Sequence, residues 1–184
     1  MIGAVLAGGD GTRLGMGSKA GVVLAGRPLA AYPVAALSAV CERVAVVCKA
    51  DTELPELEAE RWDEPAEPRH PLAGIVHALE TAAGPVLVCA ADMPFVTADA
   101  CRTLLAAVGT APAVVAVADG ILQPVLGLYA PAVLPVLRDA DRDAPLTCTV
   151  EALDPGRVAL PAALVRSVNT PEDLAEAERL LGSA

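Results

Sequence analysis

At 184 residues, 54% of them hydrophobic and only 2% aromatic, the chain is long enough for one core, built from Ala, Val and Leu rather than from rings. A formal net charge of -10 argues against a nucleic-acid partner, whose binders carry a broad basic face, so any anionic ligand must be held by a few local groups. No uninterrupted apolar run reaches the roughly 18 residues of a membrane span, and Met1 to Leu6 enter a short apolar segment with no basic region before it, so the expectation is a cytoplasmic protein without a membrane partner.

The first predicted element is a strand over residues 2–7. It runs into Leu6-Ala7-Gly8-Gly9-Asp10-Gly11-Thr12-Arg13-Leu14-Gly15-Met16-Gly17-Ser18-Lys19, a loop crowded with glycine around one arginine and one lysine. Glycine lacks a Cβ, so the backbone N–H groups of such a loop can approach phosphate oxygens closely. Arg13 and Lys19 add positive charge, the first as a fork for two oxygens and the second as a point charge. The spacing is neither a Walker A loop nor the dinucleotide fingerprint, and an ordinary glycine-rich strand-to-helix turn is the alternative reading.

A helix is predicted over residues 29–41 and a second strand over 43–48. Residues 51–70, rich in Glu, Pro and Arg, show no period and are expected to cross the surface between elements. A helix over 72–83 and a strand over 85–89 follow, then Asp92-Met93-Pro94, which places a carboxylate at the C-terminal edge of a strand, where open α/β sheets bind ligands. Mg²⁺ prefers carboxylate and phosphate oxygens, so Asp92 is the candidate metal ligand; the competing reading is an Asp-x-Pro turn that only starts the next helix. That helix covers 98–108, behind a Thr97 cap. Strands over 113–118 and 123–129 and helices over 132–138 and 171–181 complete the series, the last entered through Thr170 with acidic residues in its first turn.

Strands alternating with helices imply right-handed crossovers, hence an α/β fold of three α/β/α layers around a mostly parallel, Rossmann-like sheet, in one domain over 1–184 with no repeat or linker. Cys41, Cys48, Cys89, Cys101 and Cys148 form no Cys-x-x-Cys pair and lie mostly in apolar runs, so they read as small buried hydrophobes. His70, in the loop before a helix, and His77, within it, read as structural.

The loop Leu-Ala-Gly-Gly-x-Gly-x-Arg-x-Gly with its downstream lysine resembles the signature of the nucleotidylyltransferase superfamily, with its nucleotide-diphospho-sugar transferase type of fold. Taken with Pro71-Leu72-Ala73-Gly74-Ile75, Asp92-Met93-Pro94 and Val168-Asn169-Thr170-Pro171, it is similar to molybdenum cofactor guanylyltransferase, in the family's order from Leu6 to Leu174. The resemblance implies transfer of GMP from GTP to the phosphate of a molybdenum-loaded pterin cofactor, with Mg²⁺ as cofactor and pyrophosphate released, by a monomer or weak homo-oligomer. It implies that Leu6, Ala7 and Gly8 line base and ribose, that Gly9, Gly11, Arg13 and Lys19 surround the triphosphate, that Asp63 contacts guanine, that Asp92 holds the metal and that Asn169 lies near metal or acceptor phosphate. A carboxylate suits guanine because it accepts from both N1–H and the N2 amine. From its own surroundings Asp63 reads rather as a solvated residue, and Asn169 also fits a helix-starting turn. Gln123-Pro124 stands where the family has a polar residue before proline.

Three departures bear on the acceptor: Ser18 replaces an Asp before the lysine, Cys48-Lys49-Ala50-Asp51 lacks the asparagine after the second strand, and residues 143–150 lack a basic pair. The alternatives are a sister nucleotidylyltransferase, carrying CTP to the pterin or an NTP to a sugar-phosphate or cobinamide-phosphate acceptor, and a catalytically silent nucleotide-binding regulator. The presence of Arg13, Lys19 and Asp92 together argues against silence.

Overall fold

The computed structural model describes residues 1–8 and 19–182, with the side chain of Lys19 outside that description. In chain order it contains β1 (Ile2–Leu6), the ribbon strands β2 (Val23–Leu24) and β3 (Arg27–Pro28), α1 (Ala31–Ser38), β4 (Arg43–Lys49), β5 (Glu60–Glu64), α2 (Pro71–Ala82) and β6 (Val86–Ala90). Then come α3 (Ala98–Ala106), β7 (Ala113–Ala118), β8 (Ile121–Tyr129), α4 (Leu134–Asp139), α5 (Leu146–Glu151), β9 (Gly156–Ala159) and α6 (Pro171–Gly182).

The described residues form a seven-stranded sheet in the order β5-β4-β1-β6-β8-β7-β9. Only β8 runs against its neighbours; β5, β4, β1 and β6 are parallel, as are β7 and β9. Successive residues of a strand face opposite sides, and the sheet is covered on both. Val5, Val46 and Leu87 meet α1 and α3 through Leu37, Cys101 and Leu104, whereas Ala4, Val47 and Val88 meet α2, α4 and α5 through Leu72, Ile75, Leu137 and Val150. The near-continuous apolar strands are what a sheet covered on both faces requires. A smaller cluster, Val22, Leu24, Leu29, Val168 and Ala177, seats α6 on the β2–β3 ribbon. No helix among the described residues is long and apolar enough to cross a membrane.

Two helix starts behave as their sequences predict. The Thr97 hydroxyl accepts from the Ala100 N–H at 3.2 Å. Thr170 accepts from the Asp173 N–H at 3.2 Å, while Asp173 Oδ2 accepts from the N–H groups of Thr170 and Asn169, both at 2.9 Å, making a reciprocal capping box.

One sequence reading is corrected. Residues 51–70 are not simply a surface crossing, because Glu60–Glu64 pairs in parallel with β4, with Cys48 opposite Asp63 and Lys49 opposite Glu64. This is an edge strand rich in charge, which is how sheets keep an exposed edge from pairing further, and that is why it carries no apolar run. The cysteine reading holds for the buried Cys48, Cys89 and Cys101, but Cys148 is exposed. Burial pushes the Cys101 thiol up to about 12 and the Cys41 thiol up to about 11, so both stay protonated at neutral pH.

Loss of a threonine cap costs about 1 kcal/mol. Thr97→Ala is therefore expected to lower Tm by about 2–4 °C in a domain of this size, measured by circular dichroism; an unchanged Tm would show that the cap adds nothing.

Candidate nucleotide-binding site

From β1 the chain moves outward to β4 and β5, then returns to place β6 on the other side of β1. The crossover helices α1 and α2 lie on opposite faces, so the C-terminal ends of β1 and β6 flank a topological switch point, where α/β sheets open a crevice. A cavity of about 300 Å³ lies there, lined by Leu6, Ala7 and Gly8 after β1, Ala91 and Asp92 after β6, and Glu64 at the end of β5. Backbone bonds fix its rims: the Ala7 N–H donates to Val47 O at 2.8 Å, the Ala91 N–H to Leu6 O at 2.9 Å, and the Val168 N–H to Asp92 O at 2.8 Å. The last of these brings Ser167 and Asn169 into the cavity wall.

Among the described residues a buried ion pair stands at the cavity. Lys49 and Glu64 are register partners on β4 and β5, and their side chains are 2% and 4% exposed. Lys49 Nζ lies 3.4 Å from Glu64 Oε1 and donates to Pro65 O at 2.6 Å and Pro68 O at 2.9 Å, so the three N–H bonds of the ammonium face three acceptors. Glu64 Oε2 is buried and has no hydrogen-bond partner among the described residues. A Cβ added to Gly8 would stand 2.2 Å from Glu64 Oε1, and one added to Gly74 would stand 3.6 Å from Oε2 and 3.1 Å from Leu6 Cδ2. The glycine in Leu-Ala-Gly and the glycine in Pro-Leu-Ala-Gly thus leave room for one carboxylate between β1 and α2.

Asp63 is not that carboxylate. Side chains alternate along β5, and the period of two turns Glu64 toward α2 and the cavity while Asp63 faces away. Asp63 is 54% exposed and accepts from Arg61 Nε at 2.7 Å, and Arg61 clamps the β4–β5 connection by donating to the backbone oxygens of Lys49, Ala50 and Thr52. Leu6, Ala7, Gly8, Asp92 and Asn169 are all brought to the cavity. Gly9, Gly11 and Arg13 lie outside the described residues; the Lys19 backbone opens a 3₁₀ turn over Lys19–Gly21. Gln123 does not line the cavity and donates from Nε2 to Ile121 O, whereas Val125 does line it. His70 caps α2 by accepting from the Leu72 N–H at Nδ1, which is structural as expected, and also lines the cavity. Glu64 and Lys49 went unseen in the sequence, although a lysine closing the apolar run Val44-Ala45-Val46-Val47-Cys48 is a signal that a buried charge must find a partner.

Among the described residues no three His, Cys, Asp or Glu side chains gather into a metal cage. Asp92 and Asn169 offer oxygen donors at the cavity wall. So sparse a set fits a hard cation that keeps waters and takes ligand phosphate oxygens, and does not fit a closed structural zinc site.

The family model for the MobA-like NTP transferase domain matches residues 3–156. The chain belongs to this family. A molybdenum cofactor guanylyltransferase of Cereibacter sphaeroides is 32% identical to it over 194 residues, covering 98% of this chain and 97% of that protein. One from Rhizobium leguminosarum bv. trifolii is 33% identical over 202 residues, covering 97% and 92%. The 2-C-methyl-D-erythritol 4-phosphate cytidylyltransferase of Deinococcus radiodurans is 40% identical over a shorter 121 residues, 64% of this chain and 51% of that one. Among solved structures, the molybdopterin-guanine dinucleotide biosynthesis protein A of Archaeoglobus fulgidus superposes with a TM-score of 0.79 at 27% identity over the full length of both chains. The cytidylyltransferase of Thermus thermophilus, at 23% identity and a TM-score of 0.72 over 97% of each chain, shares the fold. The chain is thus a MobA-like nucleotidyltransferase built on the nucleotide-diphospho-sugar transferase fold.

In this MobA-like transferase, burial pushes the Glu64 carboxyl above its ordinary value of 4.5, against the opposing pull of the Lys49 charge and hydrogen bond and then of His77 and Arg69. A raised folded-state value favours the protonated form in the fold. The resulting stability is complete below the ordinary carboxylate range and is lost as pH rises through the raised value. Relative to Glu64→Gln, the wild type should lose stability as pH rises from about 4.5 and then level off, read by urea unfolding of both proteins across pH; parallel curves would contradict it.

Proposed function

We propose that the chain transfers GMP from GTP to the phosphate of the molybdenum-loaded molybdopterin cofactor and releases pyrophosphate. The observation that carries this reading is the buried Glu64 carboxylate in the switch-point cavity, with an acceptor oxygen unmatched by the described protein groups. A base that presents two adjacent N–H donors, as guanine does at N1 and N2, satisfies such a carboxylate and rewards its desolvation, while adenine offers no such pair. The relatives' names and their near-complete coverage support the same substrate pair.

With the base against Glu64 and Gly74, the β1 end runs beneath the ribose, and the following glycine loop receives the triphosphate. Arg13 and Lys19 supply positive charge to the phosphates, and Asp92 with Asn169 closes the opposite wall. The donor set at Asp92 is where Mg²⁺ would be held; when bound it offsets charge at the α-phosphate. An oxygen of the acceptor phosphate attacks the α-phosphorus in line, the bond from that phosphorus to the bridging oxygen of the β-phosphate breaks, and pyrophosphate departs with the electron pair. A phosphate oxygen is already nucleophilic at neutral pH, so the residues need only position the reactants and stabilise charge. The competing reading is cytidylyl transfer, favoured by the 40% identity to a cytidylyltransferase over part of the chain.

Incubation with Mg²⁺ and each NTP in turn, with and without molybdenum-loaded molybdopterin, is expected to release pyrophosphate only with GTP and acceptor together. Release with CTP instead would overturn the guanylyl reading. Asp92→Asn keeps the size of the side chain and removes its charge, so turnover should fall at least about 10²-fold, or roughly 2.7 kcal/mol of transition-state stabilisation, with Tm little changed. A destabilised but fully active variant would reduce Asp92 to a turn residue.

A further inference from the structure

Glu64 lines the cavity, and its Oε1 is held by a buried cation while Oε2 has no hydrogen-bond partner among the described residues. Lys49 is that cation, on the strand beside it: its ammonium meets Glu64 Oε1 at 3.4 Å and is itself fixed by Pro65 O at 2.6 Å and Pro68 O at 2.9 Å. Those two carbonyls belong to the segment that leads from β5 into α2, so one buried charge ties β4, the end of β5 and that segment together. Gly8 brings β1 against the same pair, since a Cβ there would stand 3.9 Å from Lys49 Cε as well as against Glu64. Lys49 does not line the cavity, whereas Glu64 does, so the route from Lys49 to a ligand there runs through Glu64.

We propose that Lys49 is the positioning residue for base recognition: it holds the Glu64 carboxylate charged, with Oε1 turned inward and Oε2 presented to the Watson–Crick edge of the base. This rests on the guanylyl reading above. It gives the position after the second strand, where the family's asparagine is missing, a role in choosing the base and not in touching the ribose. A carboxylate that loses its buried cation either takes up a proton or turns, and both outcomes withdraw the two lone pairs of Oε2 that accept from N1–H and the N2 amine. ITP lacks the N2 amine and so measures that second point of contact alone.

The test compares GTP with ITP, by KM and kcat of pyrophosphate release, in the wild type, Lys49→Gln, Glu64→Gln and the double variant. Lys49→Gln keeps donors for the two prolyl carbonyls but has no charge. The wild type should prefer GTP at least about tenfold, through KM and with kcat alike for both. Lys49→Gln should abolish most of that preference by raising the KM for GTP much more than for ITP, and it should add nothing in the Glu64→Gln background, because Lys49 acts only through Glu64. A wild type that transfers GMP and IMP equally would overturn base reading by Glu64 and the Lys49 role with it. A discriminating wild type whose preference survives Lys49→Gln, or a further loss of preference in the double variant, would overturn the Lys49 role alone. Should Lys49→Gln lose the fold by circular dichroism, Lys49→Met/Glu64→Gln, which is free of buried charge, carries the comparison against Glu64→Gln: equal preference supports the proposal and unequal preference overturns it.

Discussion

Burying two opposite charges costs several kcal/mol of hydration per ion, recovered only where geometry and further hydrogen bonds are good. In this chain the Lys49–Glu64 pair is buried on that condition, and much of the neighbouring sequence is explained by it. Gly8 and Gly74 leave the space, Pro65 and Pro68 supply carbonyls, and the parallel register of β4 and β5 sets the two side chains opposite one another. The pair satisfies the lysine completely but leaves one carboxylate oxygen without a protein partner among the described residues. A fold selected for stability alone would fill these positions with apolar side chains. The unmatched oxygen is therefore where the structure departs from what packing asks, and it belongs to a side chain that lines the cavity at the switch point.

The rest of the architecture delivers groups to that cavity from separate parts of the chain. β1 and β6, neighbours in the sheet, bring the Leu-Ala-Gly backbone and Asp92 side by side. The capping box of α6 orders the Asn169 and Thr170 backbone, and the bond from the Val168 N–H to Asp92 O draws that segment across the sheet end. The two walls differ in chemistry: a desolvated acceptor on the β5 side, and half-buried oxygen donors, Asp92 and Asn169, on the β6 side. Base recognition and phosphate chemistry can then be tuned separately, which suits a family whose members differ in base and acceptor.

Much of this was legible in the sequence. The strands at the sheet centre announce themselves as Val- and Ala-rich runs, the glycine loop and Asp92 fall at strand ends, and both threonine caps were visible. The losses have physical causes. β5 is an edge strand written Glu-Arg-Trp-Asp-Glu, with no apolar run to find, and without the strand there was no parity to decide between Asp63 and Glu64; a shift of one residue exchanges the solvent face for the cavity. The β2–β3 ribbon turns through Ala25 and Gly26 at φ of 47° and 79°, and alanine is an unusual residue for such a turn, so its signal was weak. α5 and β9 are too short for periodicity to register. Lys49 closes an apolar run, and only its cross-strand partner gives it meaning.

The central claim is that Glu64, not the adjacent Asp63, reads the base. The most direct measurement is the crystal structure of the protein with GTP. The account predicts guanine against Gly74 with N1 and N2 about 3 Å from the Glu64 carboxylate, while Asp63 keeps its bond to Arg61. Guanine bound to Asp63, or Glu64 Oε2 still without a partner when GTP is in place, would contradict it.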